Sequence, residues 1–251
     1  MSVSIVMPVY NEEEIIEKVV RQHYTEIIVK IDGSEFIVVD DGSTDSTPKI
    51  LARLVQELPR LKIIRLEKNS GHGTALRLGF IQARNPFIFQ IDSDGQFGAE
   101  DFWKLYRLKE DSDIISGCRT PRHDPWHRQM ISLMAMLIDA VIFGIVIKDI
   151  NSPFKLIKAG VLKDTINDVP AKPFATSMLI VISAKHKGYR FTEIPVAHFS
   201  RITGKSNLIN ISYLCKGCLL SFRDIMLLKK RLLCKRPAER KSNAAGISVK
   251  P

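Results

Sequence analysis

The feature that most constrains this chain is a regular alternation of strand and helix signals over its first 117 residues. Strands that alternate with helices of ten or more residues are typical of βαβ units and a mostly parallel sheet. We therefore predict an α/β fold whose ligands bind at the carboxyl ends of the strands. The predicted strands are 3–9, 36–39, 61–66, 87–91 and 113–116, and the predicted helices are one capped by Asn11, then 43–58, 73–83 and 100–108.

After Gly117 the pattern is less regular, and two long apolar segments stand out. Met130–Ile147 has one charged residue, Asp139, and its 18 residues are at the lower limit for a membrane span. Leu208–Leu233 is apolar and basic. We expect amphipathic helices over about 126–147 and 208–233 that face a membrane, with packing on the core and a true span as the alternatives. The remaining predictions are a strand at 154–157, a helix at 174–187, and strands at 191–194 and 196–199 separated at Pro195.

The charge is concentrated at one end of the chain. The formal net charge is +10, and Lys216–Pro251 has ten basic residues against two acidic ones. A basic end beside a nearly neutral body favours an anionic surface as the partner and argues against nucleic acid. We expect one domain, 1–234, and a disordered basic tail, 235–251. Four cysteines and a start without a signal-peptide pattern predict a cytoplasmic protein, peripherally associated with the membrane.

The polar residues that follow the predicted strands suggest a ligand site. Asp92 and Asp94 come directly after a buried run, and Gly95 permits a turn that brings both carboxylates to one ion. Hard oxygen ligands select Mg²⁺ or Mn²⁺. By itself this motif is weak, because the same pattern occurs in ordinary solvated turns.

Two further segments end strands or begin helices at the same predicted edge. Asp40 and Asp41 precede a helix, and only one of them is needed as a cap, so the other can accept from a ribose hydroxyl or a base N–H. Gly71 and Gly73 open the next helix, where phosphate could approach the backbone N–H groups. A plain turn with two glycines is an equally good interpretation of that pair.

Taken in order, these segments resemble family 2 glycosyltransferases with the GT-A fold. The resemblance rests on Pro8-Val9-Tyr10-Asn11-Glu12, Asp40 to Asp45, Gly71-x-Gly73-x-Ala75-x3-Gly79 and Asp92-x-Asp94-x-Gln96. Later segments are similar to those of polyprenyl-phosphate sugar transferases, and the resemblance covers about residues 1 to 230. These segments are Gly117-x-Arg119, Asp149-x3-Pro153-Phe154-Lys155-Leu156, Glu193-Ile194-Pro195-Val196 and Arg201-x2-Gly204-x-Ser206.

The resemblance implies a GT-A-like, Rossmann-like fold and the inverting transfer of a hexose, mannose or glucose first, from a GDP- or UDP-sugar to a polyprenyl phosphate. It implies a metal ion, Mg²⁺ or Mn²⁺, held by Asp92, Asp94 and Gln96, with Asp94, Arg119 and Arg201 as the catalytic residues. The nucleotide-sugar residues that it implies are Pro8, Tyr10, Glu12, Val39, Asp41, Asp92, Ser93 and Lys205.

Three positions depart from the family pattern. Asn207 replaces a usual lysine, for which Lys205 could substitute; Lys155 replaces a frequent arginine; Ser177 replaces a usual carboxylate. These departures concern the acceptor side and leave two alternatives open. One is a transferase that acts on a saccharide or glycolipid acceptor, and the other is a non-catalytic protein that binds nucleotide sugars.

Overall fold

A computed structural model of the chain describes residues 1–120, 141–200 and 211–234. Within these ranges a seven-stranded sheet has the order β3-β2-β1-β4-β6-β5-β7. Every strand pair is parallel except the two pairs made by β6, which runs antiparallel to both β4 and β5. The strands are β1 Val3–Val9, β2 Glu35–Asp40, β3 Leu61–Arg65, β4 Phe87–Gln90, β5 Ile114–Arg119, β6 Lys155–Lys158 and β7 Phe191–Val196.

Helices cover both faces of the sheet, which confirms the predicted α/β class. The helices are α1 Ile16–His23, which continues as a π-helical turn Tyr24–Ile28, α2 Thr47–Glu57, α3 His72–Gln82, α4 Phe102–Arg107 after a 3₁₀ turn Ala99–Asp101, α5 Ala159–Thr165, α6 Thr176–His186 and α7 Ile211–Cys234.

Each face of the sheet has its own apolar core. On one face, side chains of β1, β2 and β4 pack against α1, α2 and α4. On the other face, Val6, Ile88, Ile114 and Ile157 pack against α3, α5, α6 and the inner side of α7. The alternation of side chains along each strand divides the apolar residues between the two cores, so both faces are dry.

The topology places the candidate residues together at one end of the strands, which we call the site edge of the sheet. Six parallel strands end there, and β6, which runs the opposite way, begins there with Lys155. Residues that follow β1, β2, β4 and β5 therefore share this edge with the start of β6, as expected for a ligand site on an α/β sheet.

Three predictions about the bounds of elements were wrong, and one helix was not predicted. Asn11 does not cap α1; it has φ 52° and its side-chain oxygen accepts from the Thr44 N–H at 2.8 Å. Asn tolerates this left-handed conformation, which ties the loop after β1 to the loop after β2. The helix predicted to reach Ile147 ends by 143, because Gly144 at φ 67° terminates it and Ile145 and Ile147 turn into the core.

The other two differences are a strand break that is absent and a helix that was not predicted. The predicted break at Pro195 is absent: β7 runs through it, which an edge strand tolerates because a proline lacks only an outward-facing donor. Helix α5 was not predicted at all. Within the described residues, no helix combines the length and the apolar character that a membrane span needs. The predicted helix over about 126–140 and the tail 235–251 lie outside these residues.

Candidate active site

The acidic pair lies where the sequence predicts it, directly after β4. Gly95 has φ 69°, so the chain turns immediately after Asp94. Asp92 and Asp94 are both half-buried, while Ser93 between them is buried. The Asp94 carboxylate also accepts from the backbone N–H of Gln96 at 3.2 Å, which holds the turn in place.

A histidine at this site was missed by the sequence analysis. His72 begins α3, and its Nε2 lies 2.9 Å from an Asp92 carboxylate oxygen. Desolvation acts to lower the pKa of His72, but 54% of its side chain is exposed, and the charges of Asp92, Asp41 and Asp94 hold the pKa above its usual value. Burial acts in the opposite sense on Asp92, yet His72, Lys155 and Arg119 hold the pKa of that carboxyl below its usual value. The signal in the sequence is a histidine between two glycines, a loop that we interpret above as a phosphate-binding loop or a plain turn, without a role for the imidazole.

Asp41 anchors the glycine-rich loop that leads into α3. Its two carboxylate oxygens accept from the N–H groups of Ser70 and Gly71 at 2.7 and 2.8 Å. Burial raises the pKa of Asp41, although these two N–H groups act to lower it. The prediction that one aspartate of the pair caps the next helix was wrong: Asp40 accepts from the Ser43 N–H at 2.9 Å within the loop, four residues before α2 begins at Thr47. Asp41 was predicted to contact a nucleotide; the structure adds that it shapes the loop beside the acidic pair.

Two helix N-termini meet next to this loop. The Thr176 hydroxyl, at the start of α6, donates to the Gly73 carbonyl at 2.5 Å. A Cβ on Gly73 would lie 2.3 Å from the Pro173 carbonyl oxygen, so only glycine allows this approach. Ser177 follows on α6, and its buried hydroxyl has no hydrogen-bond partner among the described residues. Ser177, which replaces the usual carboxylate of the family, therefore lies beside the loop that carries His72.

Arg119, at the end of β5, is held by a buried carboxylate. Its Nε and Nη2 donate to the two oxygens of Asp149 at 2.8 Å each, which is a bidentate pair. Only 10% of the Arg119 side chain and 2% of the Asp149 side chain are exposed. This geometry fixes the guanidinium plane at the same edge as the acidic pair.

The remaining predicted residues fall into two groups. Tyr10 and Glu12 lie on the half-buried loop after β1, where the Glu12 N–H donates to the Thr47 hydroxyl at 2.9 Å. Pro8 and Val39 are neighbours in the sheet and are buried. The Val39 side chain belongs to the small core under α3.

Gln96 joins the acidic turn to the segment after β7. Its side-chain amide N–H donates to the Phe199 carbonyl at 3.1 Å, and the Phe199 N–H donates to the Gln96 carbonyl at 2.9 Å. The amide oxygen of Gln96 is therefore the side-chain atom that would be available to coordinate a metal ion. Arg201 and Lys205, as well as Asn207, lie outside the described residues.

These oxygen atoms fit a hard divalent cation that takes its remaining ligands from a substrate. Asp92 and Asp94 supply carboxylate oxygens at an accessible edge, and 30% of the Asp92 side chain is exposed. Among residues 1–120, 141–200 and 211–234, no group of three or more His, Cys, Asp or Glu side chains could hold an ion by itself. Mg²⁺-type ions are commonly bound by one or two carboxylates together with substrate phosphates, which agrees with this arrangement.

Comparisons with known proteins agree with the fold and the family. The sequence matches the profile of Glycosyl transferase family 2 over residues 4–166. A relative from Proteus mirabilis, undecaprenyl-phosphate 4-deoxy-4-formamido-L-arabinose transferase, is 31% identical over 225 residues, 86% of this chain and 67% of the relative. This chain thus spans about two thirds of that relative's length.

Two solved structures share the fold. The mannosyltransferase PcManGT from Pyrobaculum calidifontis, in complex with GDP-Man and Mn²⁺, has a TM-score of 0.63 at 19% identity, covering 92% of this chain and 69% of that chain. Glucosyl-3-phosphoglycerate synthase from Mycobacterium tuberculosis, in complex with Mn²⁺, UDP and phosphoglyceric acid, has a TM-score of 0.69 at 17% identity, covering 91% and 78%.

The order of this sheet and these structural neighbours define an α/β fold of the GT-A type. More specifically, the profile match covers well over half of the residues, and the chain belongs to Glycosyl transferase family 2.

Proposed function

We propose that this glycosyltransferase transfers a sugar from a nucleoside diphosphate sugar to a polyprenyl phosphate, with inversion at the anomeric carbon. The observation that carries the proposal is the 31% identity, over 86% of the chain, to a transferase named for an undecaprenyl-phosphate acceptor. The family resemblance implies a hexose donor, whereas the relative is named for a formamido-arabinose, so the donors to be tested include both classes.

On the donor side, we infer that Asp92, Asp94 and the Gln96 amide oxygen hold a Mg²⁺ or Mn²⁺ ion together with the diphosphate. Such an ion supplies positive charge to the leaving nucleoside diphosphate. Ser93 lies between the two ligands and would face the donor. Pro8, Tyr10, Glu12, Val39, Asp41 and Lys205 are proposed to form or support the nucleotide pocket.

On the acceptor side, Ser177 is compatible with a phosphate nucleophile. A sugar hydroxyl needs a general base, which typically contributes about 10²–10⁴-fold. A phosphate monoester has a second pKa of about 6 and is mostly a dianion at neutral pH. Its oxygen can attack the anomeric carbon as the bond to the diphosphate breaks, and no proton has to be removed.

Arginines are proposed to stabilise the phosphates during this displacement. Arg119 stands at the site edge with its guanidinium oriented by Asp149. A planar guanidinium that is already oriented loses little entropy when it binds phosphate oxygens. Arg201 is proposed for the same task from the segment after β7.

Helix α7 supports a peripheral location at a membrane, which we propose to be its cytoplasmic face. Leu219, Phe222, Met226 and Leu233 are exposed on this helix, with Arg223 and Lys230 exposed among them. Exposed apolar residues combined with basic ones are typical of helices that bind an anionic lipid surface.

The experiment is a transfer assay with the purified chain and radiolabelled nucleotide sugars. The donors are GDP-mannose, UDP-glucose and a nucleotide-activated 4-deoxy-4-formamido-L-arabinose, and the acceptors are undecaprenyl phosphate, undecaprenol and a soluble oligosaccharide. We expect label in the lipid phase with undecaprenyl phosphate and not with undecaprenol. Label on the oligosaccharide would instead indicate a saccharide transferase, and nucleotide binding without turnover would indicate a binding protein.

A further inference from the structure

The loop before β6 is held by a carboxylate of β7. Glu193 accepts from the backbone N–H groups of Lys148 and Asp149 at 3.1 and 2.9 Å. These contacts fix the backbone of the residue that grips Arg119. The Arg119–Asp149 pair therefore depends on how this short loop, residues 148–152, is supported.

Lys155 holds the same loop from the other end. Its ammonium donates to the Ile150 carbonyl at 3.0 Å and to the Ser152 carbonyl. The side chain is fully buried, which is unusual for a lysine and costs free energy unless its charge is satisfied. A buried ammonium bound to two loop carbonyls indicates that the loop needs a hydrogen-bond donor at this position.

Two polar side chains flank Lys155 in the sheet. Lys155 lies in register between Gln90 of β4 and Ser116 of β5. The buried Gln90 Oε1 and Ser116 hydroxyl have no hydrogen-bond partners among the described residues. Among the described residues, the Ile150 and Ser152 carbonyls therefore accept from Lys155, while the Gln90 Oε1 and the Ser116 hydroxyl take no part in holding the loop.

We propose that Lys155 is a positioning residue, which clamps loop 148–152 against Glu193 so that Asp149 presents the Arg119 guanidinium to the substrate phosphates. The inference deepens the proposed function and rests on it for the role of Arg119. It gives a task to a lysine at a position where the family frequently has an arginine.

The charges around Lys155 are consistent with this clamp. Burial lowers the pKa of Lys155 to about 8, and Arg119 adds to this effect, while Asp149, Asp92 and Glu193 oppose it. The ammonium is therefore present at neutral pH and is lost above about pH 8. An arginine at the same position would stay charged over this whole range.

The test compares Lys155→Met and Lys155→Arg with a matched control, Lys158→Met. Lys158 is the last residue of the same strand and lies at the opposite end of the strands from the site, where it pairs with Asp113 at 3.1 Å. Hydrogen exchange of the 148–154 segment is the first readout. In Lys155→Met we expect the backbone N–H groups of Lys148 and Asp149 to exchange faster than in the wild type. In Lys155→Arg and in the control Lys158→Met we expect them to exchange as slowly as in the wild type.

The second readout is steady-state kinetics with the donor and undecaprenyl phosphate. For Lys155→Met we expect kcat to fall by about 100-fold, which is typical when a positioned group is displaced by about 1 Å, while KM for the donor stays unchanged. For the wild type we expect activity to decline above about pH 8, and Lys155→Arg should retain its activity there.

Each outcome bears on one proposal. Unchanged exchange of the 148–154 segment in Lys155→Met would overturn the clamp, whether or not the enzyme transfers sugar to lipid. If the wild type has no lipid transfer but exchange responds as expected, the clamp stands and the acceptor assignment fails. Should Lys155→Met not fold, Glu193→Gln opens the clamp from the other side, and unaltered exchange and kcat in that variant would also overturn the proposal.

Discussion

At the residue scale, Asp94 is the proposed metal ligand whose removal tests the donor side most directly. We expect Asp94→Ala to lower kcat by at least about 100-fold, because loss of a direct metal ligand exceeds the 10–100-fold typical of outer-shell changes. The matched control is Asp111→Ala, an exposed carboxylate far from the site edge. Steady-state assays with excess chelator, followed by added Mn²⁺ or Mg²⁺, check the metal role, and full activity in chelator would exclude it.

His23 makes a separate prediction about stability in acid. It is buried in α1, its Nδ1 lies 2.9 Å from the Val19 carbonyl, and burial lowers its pKa to about 4 from the usual 6.5. The unfolded chain therefore takes up this proton first, and stability falls as the pH drops from about 6.5 to 4. The loss reaches roughly 3 kcal/mol at pH 4.

Denaturant unfolding at pH 7, 5.5 and 4.5 measures this effect against the neutral replacement His23→Gln. The variant should lose less stability over this range than the wild type. Equal pH slopes in the two proteins would mean that His23 is not buried in its neutral form.

At the element scale, the junction of α3 and α6 should be intolerant of any side chain. In Gly73→Ala the new Cβ would meet the carbonyl oxygens of Pro173 and Phe174 at 2.3 and 2.8 Å, so α6 must move away from the site. Overpacking of this kind typically costs about 1–3 kcal/mol, and we expect transfer activity to fall as well. Gly160→Ala in α5 meets nothing within 4 Å and should stabilise the protein slightly. Thermal unfolding of both variants measures these changes in stability. A Gly73→Ala variant as stable as the wild type would show that the junction has room for a side chain.

The elements also show how far the sequence could be interpreted. The strands β1 to β5 and the acidic pair were predictable, because short β-branched runs followed by polar turns leave a local signal. The antiparallel insertion of β6 between β4 and β5 was not, since strand order depends on contacts between residues distant in the chain. The bond between His72 and Asp92, 20 residues apart, and the Arg119–Asp149 pair escaped for the same reason.

At the scale of the whole molecule, α7 links the core to a surface. Its inner side places Ile225, Leu228 and Leu232 in the core, and Asp224 accepts from the Phe174 N–H at 2.7 Å, just before α6. Arg231 also belongs to this inner contact, because it donates to the Asp168 and Val169 carbonyls. The charges that remain for a lipid surface are those of the outer side.

The double variant Lys229→Ala, Lys230→Ala should therefore co-sediment less with anionic vesicles than the wild type. Each basic residue near an anionic surface contributes about 1 kcal/mol, so we expect binding to weaken by at least tenfold and to weaken further in high salt. The paired control, Lys18→Ala with Lys49→Ala, removes two exposed lysines from α1 and α2 on the other face of the sheet. Binding that ignores both salt and these substitutions, and that resists carbonate extraction, would contradict peripheral association.

The central claim is that the acceptor is a phosphate on a polyprenyl chain, and ³¹P NMR of the acceptor tests it most directly. Undecaprenyl phosphate in detergent is incubated with the purified chain, the donor and Mn²⁺, and the monoester resonance is followed over time. We predict that it is replaced by a phosphodiester resonance as nucleoside diphosphate is released, with the anomeric configuration opposite to that of the donor. A monoester signal that persists while the same enzyme glycosylates a hydroxyl acceptor would contradict the account.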